Sequence, residues 1–245
     1  MGAPLASLSY LVPCWNELSG LDRTIGWLDD AARSLEVDGR VVEARVLVVD
    51  DASTDGSGER LDELAARLPR LEIVHRPRNG GLGAALRTGI EAVSTEWLFY
   101  LDADLPVDPL VAARALRVAD LHDADIVSCY RHDRTGEGLR RSILSAGYNV
   151  AVRGVTGLEV RDVNFAAKLV RSAVARANLP ESRSLFFDAE LLARALSNGA
   201  RMQQIGVDYL VRSEGTSTLS SLEVVRATAS ELVRIGPRVR LRRRG

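Results

Sequence analysis

The sequence predicts an α/β protein: a mainly parallel sheet with helices on both faces, in a single domain. Three observations predict it. Short apolar runs alternate with amphipathic stretches through the N-terminal half. Those runs are dense in apolar residues, as strands covered on both faces require. Polar, acidic clusters (Pro13–Glu17, Asp50–Asp55, Asp102–Asp104) fall where the runs end, and ligands on such sheets sit outside the carboxyl ends of the strands.

Taken in order, Leu8–Pro13 reads as a strand and Leu21–Leu35 as an amphipathic helix. Arg45–Asp50 (RVLVVD) is a valine-dense strand, followed by a helix over Ser57–Leu68. Leu71–His75 is a short strand, Leu82–Val93 a helix, and Trp97–Leu101 a strand. The second half is less regular. Pro109–Ala119 reads as helix, Asp125–Cys129 as strand, and the polar, glycine-containing Arg131–Gly138 as loop. Leu139–Arg153 is helical, Val163–Leu169 extended, Asp188–Leu196 helical and Met202–Tyr209 a strand. Gly215–Ser221 is a polar loop. Leu222–Ile235 carries an apolar stripe (Leu222, Val225, Ala229, Leu232, Val233) at helical spacing and stops at Gly236-Pro237.

Composition narrows the function. The chain has 245 residues, 46% hydrophobic and 27% charged, with 32 basic against 33 acidic residues. A net charge of −1 excludes a chain-wide basic field for nucleic acid. Two cysteines, Cys14 and Cys129, exclude a disulfide framework or a cysteine-rich zinc site. No apolar run reaches the ~20 residues of a membrane span. Met1–Leu11 lacks a basic n-region and a hydrophobic h-region, so no signal peptide is read there and a cytoplasmic protein is expected. Among the 32 basic residues only Lys168 is lysine; a bias toward arginine explains the rest but not that position.

The strand ends carry the candidate chemistry. Asp102-Ala103-Asp104 places two carboxylates at one strand exit, where hard cations such as Mg2+ or Mn2+ take one or two carboxylates plus substrate phosphates. A solvated acidic loop is the plainer reading. Asp51 at the second strand end can accept from a ribose or base donor, and Asp55 can cap the following helix. Asn79-Gly80-Gly81-Leu82-Gly83 opens a helix, either as an anion site or simply as a tight start.

In order, these segments resemble the signature of glycosyltransferase family 2. Pro13-Cys14-Trp15-Asn16-Glu17 resembles P-x-x-N-E, and Val49–Gly56 resembles V-D-D-x-S-x-D-G. Asn79–Gly89 resembles N-x-G-x-x-x-A-x-x-x-G, and Asp102–Asp104 resembles D-x-D. The resemblance implies a Rossmann-like GT-A fold, a nucleotide-sugar donor and an inverting transfer. It extends to the dolichol-phosphate mannose synthase-like branch. Ala124–Arg131 resembles a strand ending in an arginine beside the donor phosphates. Arg140-Arg141 and Tyr148-Asn149 resemble a basic helix that meets a lipid phosphate. Asp162–Lys168 resembles D-x-x-x-G-F-R/K, Asp188–Leu191 resembles D-x-E-L, and Arg212–Ser217 resembles R-x-x-G-x-S. Departures are Pro106 where glutamine is common, Ala166-Ala167 for G-F, and Thr218 for a lysine.

The resemblance implies these roles. Pro13, Trp15, Glu17, Asp51, Asp102, Ala103, Asp104, Arg131 and Arg212 form the donor side. Asp102 and Asp104 hold Mg2+ or Mn2+. Arg131 and Arg212 neutralise the leaving diphosphate, and Arg140, Arg141 and Lys168 meet the acceptor phosphate. Asp104, Asp188 and Arg131 carry the catalysis, Asp188 as base for a hydroxyl acceptor or as an orienting group for a phosphate acceptor. The expected reaction moves a hexose from a GDP-mannose- or UDP-glucose-type donor to a polyprenyl phosphate. A soluble transferase acting on a hydroxyl of a small metabolite or glycan, and a non-catalytic nucleotide-sugar binding module, are the alternatives. The expected organisation is a catalytic domain over 1–220, with a nucleotide half 1–104 and an acceptor half 105–220. An amphipathic helix and Arg-rich tail over 221–245 follow. That appendage fits an anionic membrane surface or a helix packed on the domain.

Overall fold

The computed structural model describes residues 6–132, 139–210 and 222–241; the side chains of 139–144 and 222–223 lie outside that description. In chain order the elements are β1 (Ser7–Cys14), α1 (Leu18–Val37), β2 (Glu43–Asp50), α2 (Ser57–Ala65), β3 (Leu71–His75), α3 (Leu82–Ala92), β4 (Trp97–Leu101) and α4 (Val111–His122). Then come β5 (Ile126–Arg131), α5 (Leu139–Thr156), β6 (Ala167–Arg171), α6 (Ser172–Ala177), α7 (Phe186–Ser197), β7 (Met202–Val207) and α8 (Leu222–Ile235), closed by a 3-10 turn, Gly236–Val239.

The seven strands form one sheet in the order β3-β2-β1-β4-β6-β5-β7. All pairings are parallel except those of β6, which runs antiparallel to β4 and to β5. The expected α/β architecture is therefore present, with one inversion. The inversion matters for function: it sets the start of β6 beside the end of β4, pairing Lys168 with Tyr100.

Strand β4 is buried along its whole length, and its alternate residues feed two cores. Trp97, Phe99 and Leu101 pack with residues of α1, α2 and α4 on one face. Leu98 and Tyr100 pack with residues of α3, α5, α6, α7 and α8 on the other. Each fully buried aliphatic or aromatic side chain contributes roughly 1.5–3 kcal/mol to this arrangement.

Several boundaries differ from expectation for reasons outside the local sequence. Helix α1 starts three residues earlier than its apolar spacing suggests, because Leu18 N–H donates to Asp55 Oδ2 (3.1 Å) across the chain. The segment read as extended over Val163–Leu169 begins with a turn, Phe165 N–H donating to Asp162 O (3.2 Å), and becomes strand only at Ala167. Helix α6, six residues long, has too few turns to show a helical apolar period.

Helix α8 packs on the domain through Thr228, Leu232 and Ile235, joined by Val239 of the following turn. The stripe read from the sequence is only partly that face: Leu232 is buried, whereas Val225 and Val233 are 45% and 73% exposed.

Candidate active site

The strand order β2-β1-β4 brings three polar strand exits side by side. The first two are laced together. Thr54 N–H donates to Asn16 Oδ1 (2.8 Å), Asn16 N–H to Ser53 Oγ (3.0 Å) and Glu17 N–H to Ser57 Oγ (3.1 Å). Asp55 serves two helix starts at once, accepting from Leu18 N–H and from Ser57 N–H (3.0 Å). Burial works against its charge, but the Ser57 and Leu18 hydrogen bonds outweigh that and hold it below the usual carboxylate range. The expected capping role of Asp55 is thus present, extended to a second helix.

Three non-glycine residues adopt left-handed backbone here: Asn16 (φ 55°), Ala52 (φ 59°) and Leu105 (φ 46°). Each follows a different one of these strands within a few residues, and such strain concentrates where a fold over-determines a functional loop.

The third exit carries Asp102, Ala103 and Asp104. Both carboxylates are half-buried. The turn closes through Leu105 N–H donating to Asp102 O (3.0 Å). Its centre is held by Thr24, a polar residue on the buried face of α1, which donates to Ala103 O (2.7 Å). The main-chain carbonyl of Ala103 is what the scaffold grips, with a half-buried carboxylate on either side.

Asp188 lies in the first turn of α7 and is 7% exposed. Tyr100 donates its hydroxyl to Asp188 Oδ1, and Lys168 Nζ donates to Oδ2 (3.2 Å). Burial, with the Asp188 charge beside it, pushes the Tyr100 hydroxyl well above its ordinary value, so it stays a donor. Tyr100, Asp102 and Asp188 line one small cavity together with Leu82, Asn164 and Phe187. Within it Asn164 Oδ1 is buried and accepts no hydrogen bond among the described residues.

Other expected site residues are placed as follows. Trp15 is 45% exposed at the end of β1 and is not core, Glu17 is exposed, and Pro13 lies in β1 paired with Val49. Asp51 turns its carboxylate inward. Gly81 N–H donates to Oδ2 (2.8 Å), Gly80 N–H reaches both oxygens, and Arg76 pairs with Oδ1. It therefore caps α3, and the glycine-rich segment reads as the tight start of a helix rather than an open anion site. Gly83 is required there: a Cβ would lie 2.7 Å from Ser182 O.

Two of the expected phosphate ligands are paired inside the protein. Lys168 does not lie on an acceptor-facing surface. Its side chain is 0% exposed, held by Phe165 O (2.6 Å) and Asp188. A compact ammonium fits this enclosed niche where a guanidinium fork would need more room, which accounts for the one lysine in an arginine-rich chain. The Arg131 guanidinium is engaged from within the protein. Its Nε and Nη2 donate to Asp162 Oδ2 (2.7 Å) and Oδ1 (3.1 Å), and its guanidinium lies over Phe165 and Tyr209. Arg140 and Arg141 stand in the first turn of α5 with side chains outside the described residues, and Arg212 lies outside them altogether.

Sequence reasoning missed Tyr100, Thr24 and Asn164. Tyr100 precedes Asp102 by two and could have been found as a polar-tipped aromatic in an otherwise apolar strand. Thr24 could have been found as the one polar residue on the inward stripe of α1. Asn164 carried no local signal.

Among the described residues no cluster of three or more His, Cys, Asp or Glu side chains forms a closed metal cage. The donor set is instead two half-buried carboxylates at a strand exit. That chemistry fits a hard divalent cation completing its shell with substrate oxygens.

A doubly covered α/β sheet with paired carboxylates at its C-terminal edge is the architecture of the GT-A fold. Residues 9–177 match the model of glycosyl transferase family 2, and the chain belongs to that family. It is a glycosyltransferase. It is 30% identical over 221 residues to the undecaprenyl-phosphate mannosyltransferase of Micrococcus luteus, covering 86% of each chain. It is 28% identical over 232 residues to the polyprenol monophosphomannose synthase of Mycolicibacterium smegmatis, covering 90% of this chain and 84% of that one. Among solved structures it resembles glucosyl-3-phosphoglycerate synthase from Mycobacterium tuberculosis, in complex with Mn2+, UDP and glucosyl-3-phosphoglycerate. There the TM-score is 0.68 at 23% identity, covering 94% of this chain and 80% of that one.

Proposed function

We propose that this glycosyltransferase moves a hexose from a nucleoside-diphosphate sugar, of the GDP-mannose type, to a polyprenyl phosphate with inversion. The observation that carries the reading is that Asp102 and Asp188 line one cavity at the C-terminal edge of the sheet. The naming of two relatives as polyprenyl-phosphate mannosyl enzymes supports the acceptor and the sugar.

Asp102 and Asp104 would hold Mg2+ or Mn2+, which supplies neutralisation of charge on the leaving diphosphate when bound. Trp15 and Glu17 face the nucleoside, with the exposed indole available to stack on the base. An oxygen of the acceptor phosphate bonds to the anomeric carbon as the bond to the nucleoside-diphosphate oxygen breaks. The electron pair leaves with the nucleoside diphosphate. A phosphate nucleophile is already ionised, so no proton has to be removed. Asp188 then orients the reacting groups, its own charge balanced by Lys168. Arg140, Arg141 and Arg212 serve the phosphates, and Arg131 with Asp162 shapes the wall beneath them. Exposed Val225 and Val233 on α8, with exposed Arg226, Arg234 and Arg238, support peripheral contact with an anionic bilayer.

The test pairs binding with transfer. A thermal-shift panel of GDP-mannose, UDP-glucose and UDP-N-acetylglucosamine, each with and without Mn2+, should show a metal-dependent rise for the donor. Transfer of that donor's sugar to a polyprenyl phosphate should follow. Asp104→Asn should lose on the order of 100-fold or more in turnover. Full metal-dependent turnover by that variant overturns the metal assignment. Transfer to a soluble hydroxyl acceptor, with none to polyprenyl phosphate, overturns the acceptor.

A further inference from the structure

We propose that Glu231, on the C-terminal helix α8, is a positioning residue for Asp188, which makes α8 part of the active-site scaffold; the functional half of this rests on the role given to Asp188 above. Four successive backbone amides ahead of α7 donate to just two carboxylates. Glu181 and Ser182 N–H donate to Glu190 Oε1 and Oε2 (2.9 Å each). Arg183 and Ser184 N–H donate to Glu231 Oε1 and Oε2 (3.1 Å each), and Ser184 Oγ also donates to Glu231 Oε2 (2.5 Å). Glu190 belongs to α7 itself. Glu231 reaches in from 47 residues further along the chain.

The clamped loop bears directly on the site. Ser184 Oγ accepts from Phe186 N–H (3.2 Å) and Ser184 O from Phe187 N–H (3.1 Å), so the first turn of α7 hangs from the residue that Glu231 grips. The next residue is Asp188. Leu185, Phe187 and Asp188 line the cavity opposite Leu82 and Leu86 of α3. On its other side the loop abuts α3 without slack. Gly83 N–H donates to Arg183 O (3.1 Å), and a Cβ on Gly83 would meet Arg183 Cα at 2.8 Å. A shift of the loop therefore moves the Asp188 carboxylate against Tyr100 and Lys168. Covering apolar surface does not require this carboxylate, since Leu232, Ile235 and Val239 already dock α8. Three hydrogen bonds from one side chain to one loop instead fix geometry, and small misplacements of reacting groups cost rate steeply.

The experiment compares Glu231→Ala, Glu231→Gln, Leu232→Ala and Ser230→Ala in the full chain. The readouts are Tm, steady-state transfer to a polyprenyl phosphate, and amide exchange by mass spectrometry. Glu231→Ala should lose on the order of tenfold or more in kcat with donor KM within about twofold of wild type. Glu231→Gln keeps one acceptor oxygen and should regain part of the loss. Leu232→Ala, which removes packing alone, should lower Tm yet keep kcat, and Ser230→Ala, at an exposed position of α8, should change neither. Glu231→Ala with wild-type kcat overturns the proposal. So does a loss of kcat that merely tracks Tm across Glu231→Ala and Leu232→Ala. If wild type transfers nothing to polyprenyl phosphate, the acceptor assignment fails and the clamp is judged by exchange. Faster exchange over 181–188 in Glu231→Ala than in Leu232→Ala supports it, and equal exchange overturns it.

Discussion

Lys168 and Asp188 form an interior ion pair, Nζ to Oδ2 at 3.2 Å, with the ammonium 5.2 Å from the Tyr100 ring centroid. The antiparallel insertion of β6 makes it, because only that direction sets Lys168 opposite Tyr100 at the active-site end of the sheet.

Removing one partner leaves a buried charge uncompensated. Lys168→Met should cost about 3–5 kcal/mol in urea unfolding. The double variant Lys168→Met with Asp188→Asn should cost less than the sum of the single variants, since the two side chains share one interaction. Lys168→Arg keeps the charge but overfills a closed niche and should cost about 1–3 kcal/mol. Additivity in the cycle would show that the pair is not coupled.

Two glycines should respond oppositely to alanine. At Gly83 a Cβ meets the backbone of Ser182 and Arg183 at 2.7–2.9 Å, so Gly83→Ala should lose about 1–3 kcal/mol and lower turnover by displacing the loop before α7. At Gly147, within α5, a Cβ meets nothing within 4 Å, so Gly147→Ala should gain about 0.5–1 kcal/mol from helix propensity. Thermal unfolding of the two variants side by side checks both signs.

A third pair of contacts makes stability pH-dependent. His75 bridges Asp50 (Nδ1 to Oδ2, 2.9 Å) and Asp62 (Nε2 to Oδ1, 3.0 Å). Hydrogen bonds to Asp50 and then Asp62 raise the His75 pKa above the ordinary histidine value of 6.5. Burial opposes the Asp50 charge, but the Ser53 and His75 hydrogen bonds outweigh it, and the carboxyl titrates below its ordinary 3.8. The histidine contribution is therefore complete below pH 6.5 and is lost as pH rises through the raised folded-state value. The Asp50 contribution is lost only as pH falls through its lowered one. The His75 side chain is 42% exposed, so solvent screening limits its contribution to the scale of exposed pairs, about 0.2–1 kcal/mol. The stability deficit of His75→Ala should be larger at pH 5.5–6 than at pH 9; an equal deficit at both would remove the charged bridge.

The legible part of the site was local. The carboxylates of Asp102 and Asp104, the loop around Asp55 and the glycines before α3 each announce themselves through residue type and spacing. Asp188 was legible as a candidate, but the donors to its two oxygens were not. Tyr100 lies 88 residues away and Lys168 lies 20 away on an inverted strand. Motif position and residue type mark Lys168 and Arg131 as phosphate ligands. Their ion pairs with Asp188 and Asp162 carry no local signal, yet a buried cation must be paired. Helix α8 shows the same limit. Its amphipathicity was plain, yet its inward face was chosen by the docking of Leu232 and Ile235, and Glu231 went unread because its partners lie 47–48 residues earlier.

By itself the sequence determined the alternation of strands and helices, the doubly covered sheet and the acidic strand exits. Apolar runs, turn residues and helical spacing are properties of neighbours in the chain. Only the tertiary structure decided the direction of β6, the inward capping turn of Asp51 and the neutralisation of Asp188 by Lys168. Those depend on which distant groups share a low-dielectric interior, where every charge and amide must find a partner.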